Sequence, residues 1–158
     1  MDEETAADMC PDVEILQPGG RKRRSPSETI LVVDDDEWVL GMAVDFLGKE
    51  EGYHVLQSTG GEEALRTAEA YDGPIHLLLT DVVMPRLNGW MLARRLRRIR
   101  PETKVLLMTA FSSELSDYET ALGDPVIMKP FNLADLAHKV RELLGYSSPF
   151  ARRSSAKG

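Results

Sequence analysis

The sequence predicts an α/β domain: a doubly wound, five-stranded parallel sheet with helices on both faces. Three observations predict it. Strand-like and helix-like segments alternate five times between residues 29 and 145. The strand candidates are short continuous apolar runs rather than alternating ones, as expected of strands covered on both faces. A helical segment follows each strand, as crossovers between parallel strands require.

The strands fall at Thr29–Val33, Tyr53–Gln57, Ile75–Thr80, Lys104–Met108 and Pro125–Met128. The helices fall at about Glu37–Glu50, Gly61–Ala70, Asn88–Ile99, Ser113–Leu122 and Asn132–Leu144. In the first helix, Val39, Met42, Ala43 and Phe46 form one apolar stripe and Leu40, Val44 and Leu47 an adjoining one. One stripe must pack on the sheet; the other is free to meet the last helix or a partner. The third helix places Leu92, Leu96 and Ile99 together at 100° per residue, with most of Arg94, Arg95, Arg97, Arg98 and Arg100 opposite. A phosphate-binding surface and a solvated helix face both fit those arginines, and the solvated face is the simpler reading. In the fourth helix Leu115, Tyr118 and Leu122 give only a thin stripe. The last helix has a full one in Leu133, Leu136, Ala137, Val140, Leu143 and Leu144. Asn132 is placed to cap it, with Asp135 three residues on, and Gly145 to stop it.

The flanks differ in composition. Residues 1–28 read as a disordered arm, acidic at first and then carrying Arg21-Lys22-Arg23-Arg24, a run more typical of a solvated linker than of a nucleic-acid signal. Residues 146–158 read as a flexible polar tail. The 158 residues carry a formal net charge of −7, which argues against a general affinity for nucleic acid. Cys10 is the sole cysteine, and His54, His76 and His138 are scattered, so no zinc spacing exists. No apolar run is long enough to span a bilayer, and the start Met1-Asp2-Glu3-Glu4 is not that of a signal peptide. A cytoplasmic protein without membrane contact is the expectation.

The chemistry lies at the strand ends. The first strand runs into Asp34-Asp35-Asp36, the third into Asp81, the fourth into Thr109-Ala110 and the fifth into Lys129-Pro130-Phe131. Parallel strands bring their C-terminal ends to one edge of the sheet, where α/β proteins place their sites. Clustered carboxylates are costly unless a cation neutralises them, and hard oxygen donors without Cys or His suit Mg²⁺, with Mn²⁺ as a substitute. A carboxylate can attack phosphorus and form an acyl phosphate. A lysine and a hydroxyl beside it would neutralise the transferring oxygens, with small Ala110 leaving room for the group. Each signal alone is common: Asp-Asp after a strand is often a helix cap, and Lys-Pro often begins a loop. The ordered set, each at its own strand end, is what carries the inference.

Between Thr29 and Gly145 the chain resembles the response-regulator receiver domain of two-component signalling. The resemblance rests on Ile-Leu-Val-Val-Asp-Asp (30–35), Asp-Val-Val-Met-Pro (81–85) with Asn88-Gly89, Leu-Met-Thr-Ala (107–110) and Lys-Pro-Phe (129–131). It implies a flavodoxin-like sheet in the order 2-1-3-4-5. It also implies that Asp81 accepts a phosphoryl group from a phosphohistidine on a sensor histidine kinase or histidine phosphotransfer protein. On the same basis Asp34, Asp35, Asp81 and the backbone carbonyl of Val83 hold Mg²⁺, while Thr109, Ala110 and Lys129 form the phosphoryl-binding switch. Such a chain acts as a stand-alone regulator or phosphorelay receiver, not an enzyme in its own right, and phosphorylation changes its binding to a downstream protein.

Two departures from the family pattern carry expectations. Val126 stands three positions before Lys129, where many receivers have an aromatic residue, so a smaller repacking replaces the usual threonine–aromatic coupling. Val83 and Phe111, each two residues past a site residue, crowd the path of attacking water, so slow self-hydrolysis is expected.

Two other readings compete. An aspartate-nucleophile phosphatase of the haloacid dehalogenase type carries a second acid two residues past its nucleophile, where this chain has Val83. A nucleotide or flavin module would need a glycine-rich phosphate loop after the first strand, where three aspartates stand.

Overall fold

A computed structural model describes residues 27–110 and 123–145. The expected helix at Ser113–Leu122, Phe111, and the two flanking segments apart from Ser27 and Glu28 lie outside the described residues. The elements run β1 Thr29–Val33, α1 Glu37–Asp45, β2 His54–Ser58, α2 Gly61–Ala70, β3 Leu77–Asp81, α3 Gly89–Ile99, β4 Lys104–Thr109, β5 Val126–Met128 and α4 Leu133–Leu143. The sheet is parallel, in the order β2-β1-β3-β4-β5.

Period-two alternation divides the strands between two cores. Leu31, Val33, Leu78, Val105 and Leu107 face α2 and α3, where Ala64, Ala68, Leu92, Ala93 and Leu96 complete one cluster. Ile30, Val32, Leu77, Leu79, Leu106 and Met108 face the other side, where Leu40, Ala43 and Leu47 meet Leu136 and Val140 of α4. Of the two stripes of α1, Leu40, Val44 and Leu47 belong to this core, joined by Ala43 and partly by Phe46. Leu78 and Leu106 are fully buried, and truncating either to alanine would cost about 2–5 kcal/mol.

Local chemistry sets the element ends. Asp36 caps α1 by accepting from Trp38 N and Val39 N. Asn88 caps α3 through Met91 N at 2.8 Å, and Asn132 caps α4 through Asp135 N at 2.7 Å. Gly145, at φ 90°, follows α4 in a conformation that suits glycine. The α1 helix passes into a π-helical turn, Phe46–Glu50, which completes the helix expected to reach Glu50.

The departures from expectation are local. The third strand starts at Leu77 rather than Ile75, because the Thr29 amide donates to His76 Nδ1 at 2.9 Å and the β1–β3 ladder begins only at Ile30. This also assigns His76 a structural role, while His54 stacks on Tyr71. Ile99 is exposed rather than part of the α3 stripe, which is completed instead by Gly89 and Ala93. The α3 arginines do not act alike. Arg97 pairs with Asp124. Arg100, just past the helix, donates to the carbonyls of Ala68, Tyr71 and Gly73 and so ties α3 to the end of α2.

Candidate functional site

The register places the site. Val33 pairs with Thr80, so Asp34 leaves β1 beside Asp81, the last residue of β3. Asp81 pairs with Met108, which sets Thr109 one step further along β4. Thr109 pairs with Met128, and its carbonyl accepts from Lys129 N at 2.8 Å. Parallel pairing in this register thus brings four strand ends to one edge.

Three carboxylates converge there. Asp34, Asp35 and Asp81 each offer an oxygen within 4.8 Å of the other two. Asp34 is fully buried and Asp81 is 7% exposed, whereas Asp35 faces solvent. The third residue of the aspartate run serves differently: Asp36 caps α1, and its own amide donates to Asp34 Oδ1 at 2.9 Å. The Lys129 ammonium lies 2.9 Å from Asp34 Oδ2 and 3.2 Å from Asp81 Oδ1. One cation thus bridges two of the three acids.

The electrostatics follow from burial. Desolvation pushes the Asp81 carboxyl up to about 6, the neighbouring Asp34 charge adds to this, and Lys129 offsets part of it. For Lys129 burial is the largest single effect and acts downward. The Asp34 hydrogen bond and the charges of Asp81 and Asp34 together outweigh it and hold the ammonium above its usual range. Lys129 therefore stays charged, while the acids remain under-neutralised: one ammonium faces three carboxyl groups.

The other candidates take distinct places. Thr109 is fully buried at the end of β4, Ala110 is exposed immediately after it, and Val83 is 43% exposed in the loop after β3. Gly89 is a residue whose role the sequence reading missed. A Cβ there would lie 2.1 Å from the Asp81 carbonyl oxygen, so α3 begins directly against the backbone of Asp81. The signal was present in Asn88-Gly89, a cap followed by the one residue type without a side-chain carbon.

Residues 30–141 match the family model of the response regulator receiver domain. The chain belongs to that family. The receiver is 35% identical over 117 residues to the response regulator receiver protein CpdR of Brucella abortus, an alignment covering 73% of this chain and 95% of CpdR. Among solved structures, it is 32% identical to a CheY-like response regulator receiver domain protein of Methanospirillum hungatei, with a TM-score of 0.68, covering 75% of this chain and 94% of that one. It is 34% identical to the response regulator TrrA of Thermotoga maritima, solved with Mg²⁺-BeF, with a TM-score of 0.65, covering 73% of this chain and 98% of that one. It spans only 48% of the transcriptional regulator CpxR of Escherichia coli and 13% of the sensor kinase CckA of Brucella abortus. Membership of the receiver family gives the phosphatase alternative no support. Among the described residues no helix is long and apolar enough to cross a membrane.

Proposed function

We propose that Asp81 is the phosphoacceptor of this receiver, and that Asp34, Asp35, Asp81 and the Val83 carbonyl hold Mg²⁺, with Mn²⁺ able to substitute. The observation that carries the reading is the convergence of three carboxylates within 4.8 Å of one another around a single ammonium. Such a cluster holds more negative charge than its own lysine neutralises, and its donors are hard oxygens, the set that suits Mg²⁺. When bound, the ion would neutralise carboxylate and phosphoryl oxygens together.

An oxygen of ionised Asp81 attacks the phosphorus of a phosphohistidine on a sensor histidine kinase or histidine phosphotransfer protein. The P–N bond breaks, its electron pair returns to the imidazole with uptake of a proton, and an acyl phosphate forms on Asp81. Lys129, already 3.2 Å from Asp81, then pairs with a phosphoryl oxygen. The Thr109 hydroxyl takes another, and small Ala110 leaves room for the group. The repositioned switch residues change affinity for a downstream protein. The receiver unit spans residues 29–145, with residues 1–28 and 146–158 as flanking segments, and the protein turns over no substrate of its own.

Incubation with phosphoramidate and Mg²⁺ followed by intact mass analysis tests this. One added phosphoryl group is expected, with none on Asp81→Asn and none when EDTA is present. Val83 stands exposed beside the site, so the modification should persist for minutes or longer; loss within seconds contradicts the shielding assigned to it. Unchanged labelling of Asp81→Asn contradicts the acceptor assignment itself.

A further inference from the structure

The outer face of α3 is an arginine surface for which the described residues offer no acid. At 100° per residue, Gly89, Leu92, Ala93 and Leu96 turn into the core, which leaves Met91, Arg94, Arg95 and Arg98 together on the opposite side. These four line a shallow depression of about 210 Å³. Arg94 lies over the Trp90 ring, 5.6 Å from its centroid. Among the described residues no carboxylate pairs with Arg94, Arg95 or Arg98, although Arg97, on the flank of the same helix, has Asp124. In a chain of net charge −7, a face carrying three uncompensated cations and an exposed Met91 has the character of a seat for an acidic segment.

We infer that this face is occupied by the chain's own acidic N-terminal segment, residues 1–16. That segment carries Asp2, Glu3, Glu4, Asp8, Asp12 and Glu14, has no Lys or Arg, and ends in Val13, Ile15 and Leu16, apolar groups that match Met91 and the Trp90 ring. The tether reaches. The far end of α3 lies close to the start of β1, because Arg100 donates to the Tyr71 carbonyl and the Tyr71 hydroxyl lies 3.4 Å from Thr29 Oγ1. Residues 17–28 can extend to about 40 Å, whereas α3 is about 16 Å long. Tethering supplies an effective concentration on the order of millimolar, so contacts too weak to hold a free peptide are still populated. The basic run Arg21–Arg24 lies within the tether, which leaves the acidic stretch as the part complementary to α3. The inference does not depend on the phosphoacceptor reading.

Cys10, the sole cysteine, lies between Asp8 and Asp12 and takes a nitroxide spin label without any substitution. In the full-length ¹⁵N-labelled protein at about 0.05 M salt, the label should remove more than half the amide signal of Met91, Arg94, Arg95 and Arg98 and leave β2 unaffected. The signal should return at about 0.5 M salt, where screening is strong. It should also return when the six acids are replaced by Asn or Gln, or in R94Q/R95Q/R98Q. Intact α3 signals at low salt would overturn the inference. So would broadening that survives salt or neutralisation of the acids. Equal broadening in a mixture where label and isotope sit on different molecules would assign the face to a second copy and overturn it as well.

Discussion

Two clusters of like charge meet opposite fates in this molecule. At the C-terminal edge of the sheet, Asp34 and Asp81 are buried, and Asp81 is pushed to about 6 despite the ammonium beside it. On the outer face of α3, Arg94, Arg95 and Arg98 are exposed at the surface of the described residues, where solvent and salt screen their repulsion. Burial separates the two cases. A buried cluster pays its repulsion in stability until a counterion arrives, so it is poised for a metal and for chemistry. A solvated cluster costs little and acts only through what it attracts. The helix α3 links the two regions, since it starts against the Asp81 carbonyl and carries the arginines along its length.

The comparison breaks most severely at that link. Gly89→Ala should destabilise the protein by about 3 kcal/mol, even though alanine favours helices, because its Cβ meets the Asp81 carbonyl oxygen. Gly41→Ala in α1, where nothing lies within 4 Å, should instead stabilise by about 0.5–1 kcal/mol. Urea denaturation of both variants reads the contrast, and equal effects would show that α3 does not bear on Asp81.

Next in size is the cost of the buried acid. With Asp81 at about 6 instead of its ordinary 3.8, the folded chain holds that proton more tightly than the unfolded chain does. The stability linked to Asp81 is therefore complete below pH ~4 and falls away as pH rises through about 6. Without divalent ions, Asp81→Asn should be more stable than the parent by about 2 kcal/mol at pH 7.5 and by almost nothing at pH 4. Saturating Mg²⁺ should narrow the gap at pH 7.5 by binding the folded parent. A gap that does not change with pH would contradict the burial argument.

Asp34→Asn probes the same notch from its deepest residue. Calorimetric titration should show Mg²⁺ affinity reduced at least tenfold, about 1.4 kcal/mol, with the fold retained because the amide oxygen can still accept from the Asp36 N–H, although the bond that Asp34 Oδ2 accepts from Lys129 is lost. The smallest effect belongs to the solvated cluster: Arg95→Gln should change stability by less than about 0.5 kcal/mol, measured by thermal melting.

What the sequence revealed follows from the same physics. Continuous apolar runs marked the strands, and Asp34, Asp81, Thr109 and Lys129 were legible because each stands where a run stops. Their meeting at one edge needed only parallel pairing, but the strand order came from family resemblance, since periodicity says nothing about which strands are neighbours. Roles that depend on a distant partner stayed hidden. Asp36 reads like its two neighbours, and only backbone direction makes it a cap. Arg97 and Arg100 read like Arg94 and Arg98 until Asp124 and the end of α2 come within reach. The close approach of Gly89 to Asp81 could not be read from either segment alone.

The central claim is that one carboxyl group in a metal-dependent acidic notch takes the phosphoryl group, and its most direct test is to find which residue carries it. Borohydride reduces an acyl phosphate to an alcohol, and peptide mass mapping then locates the converted aspartate. The account predicts conversion at Asp81 alone, and only in protein phosphorylated with Mg²⁺ present. Conversion at Asp34 or Asp35, or at Asp81 with the metal chelated throughout, would contradict it.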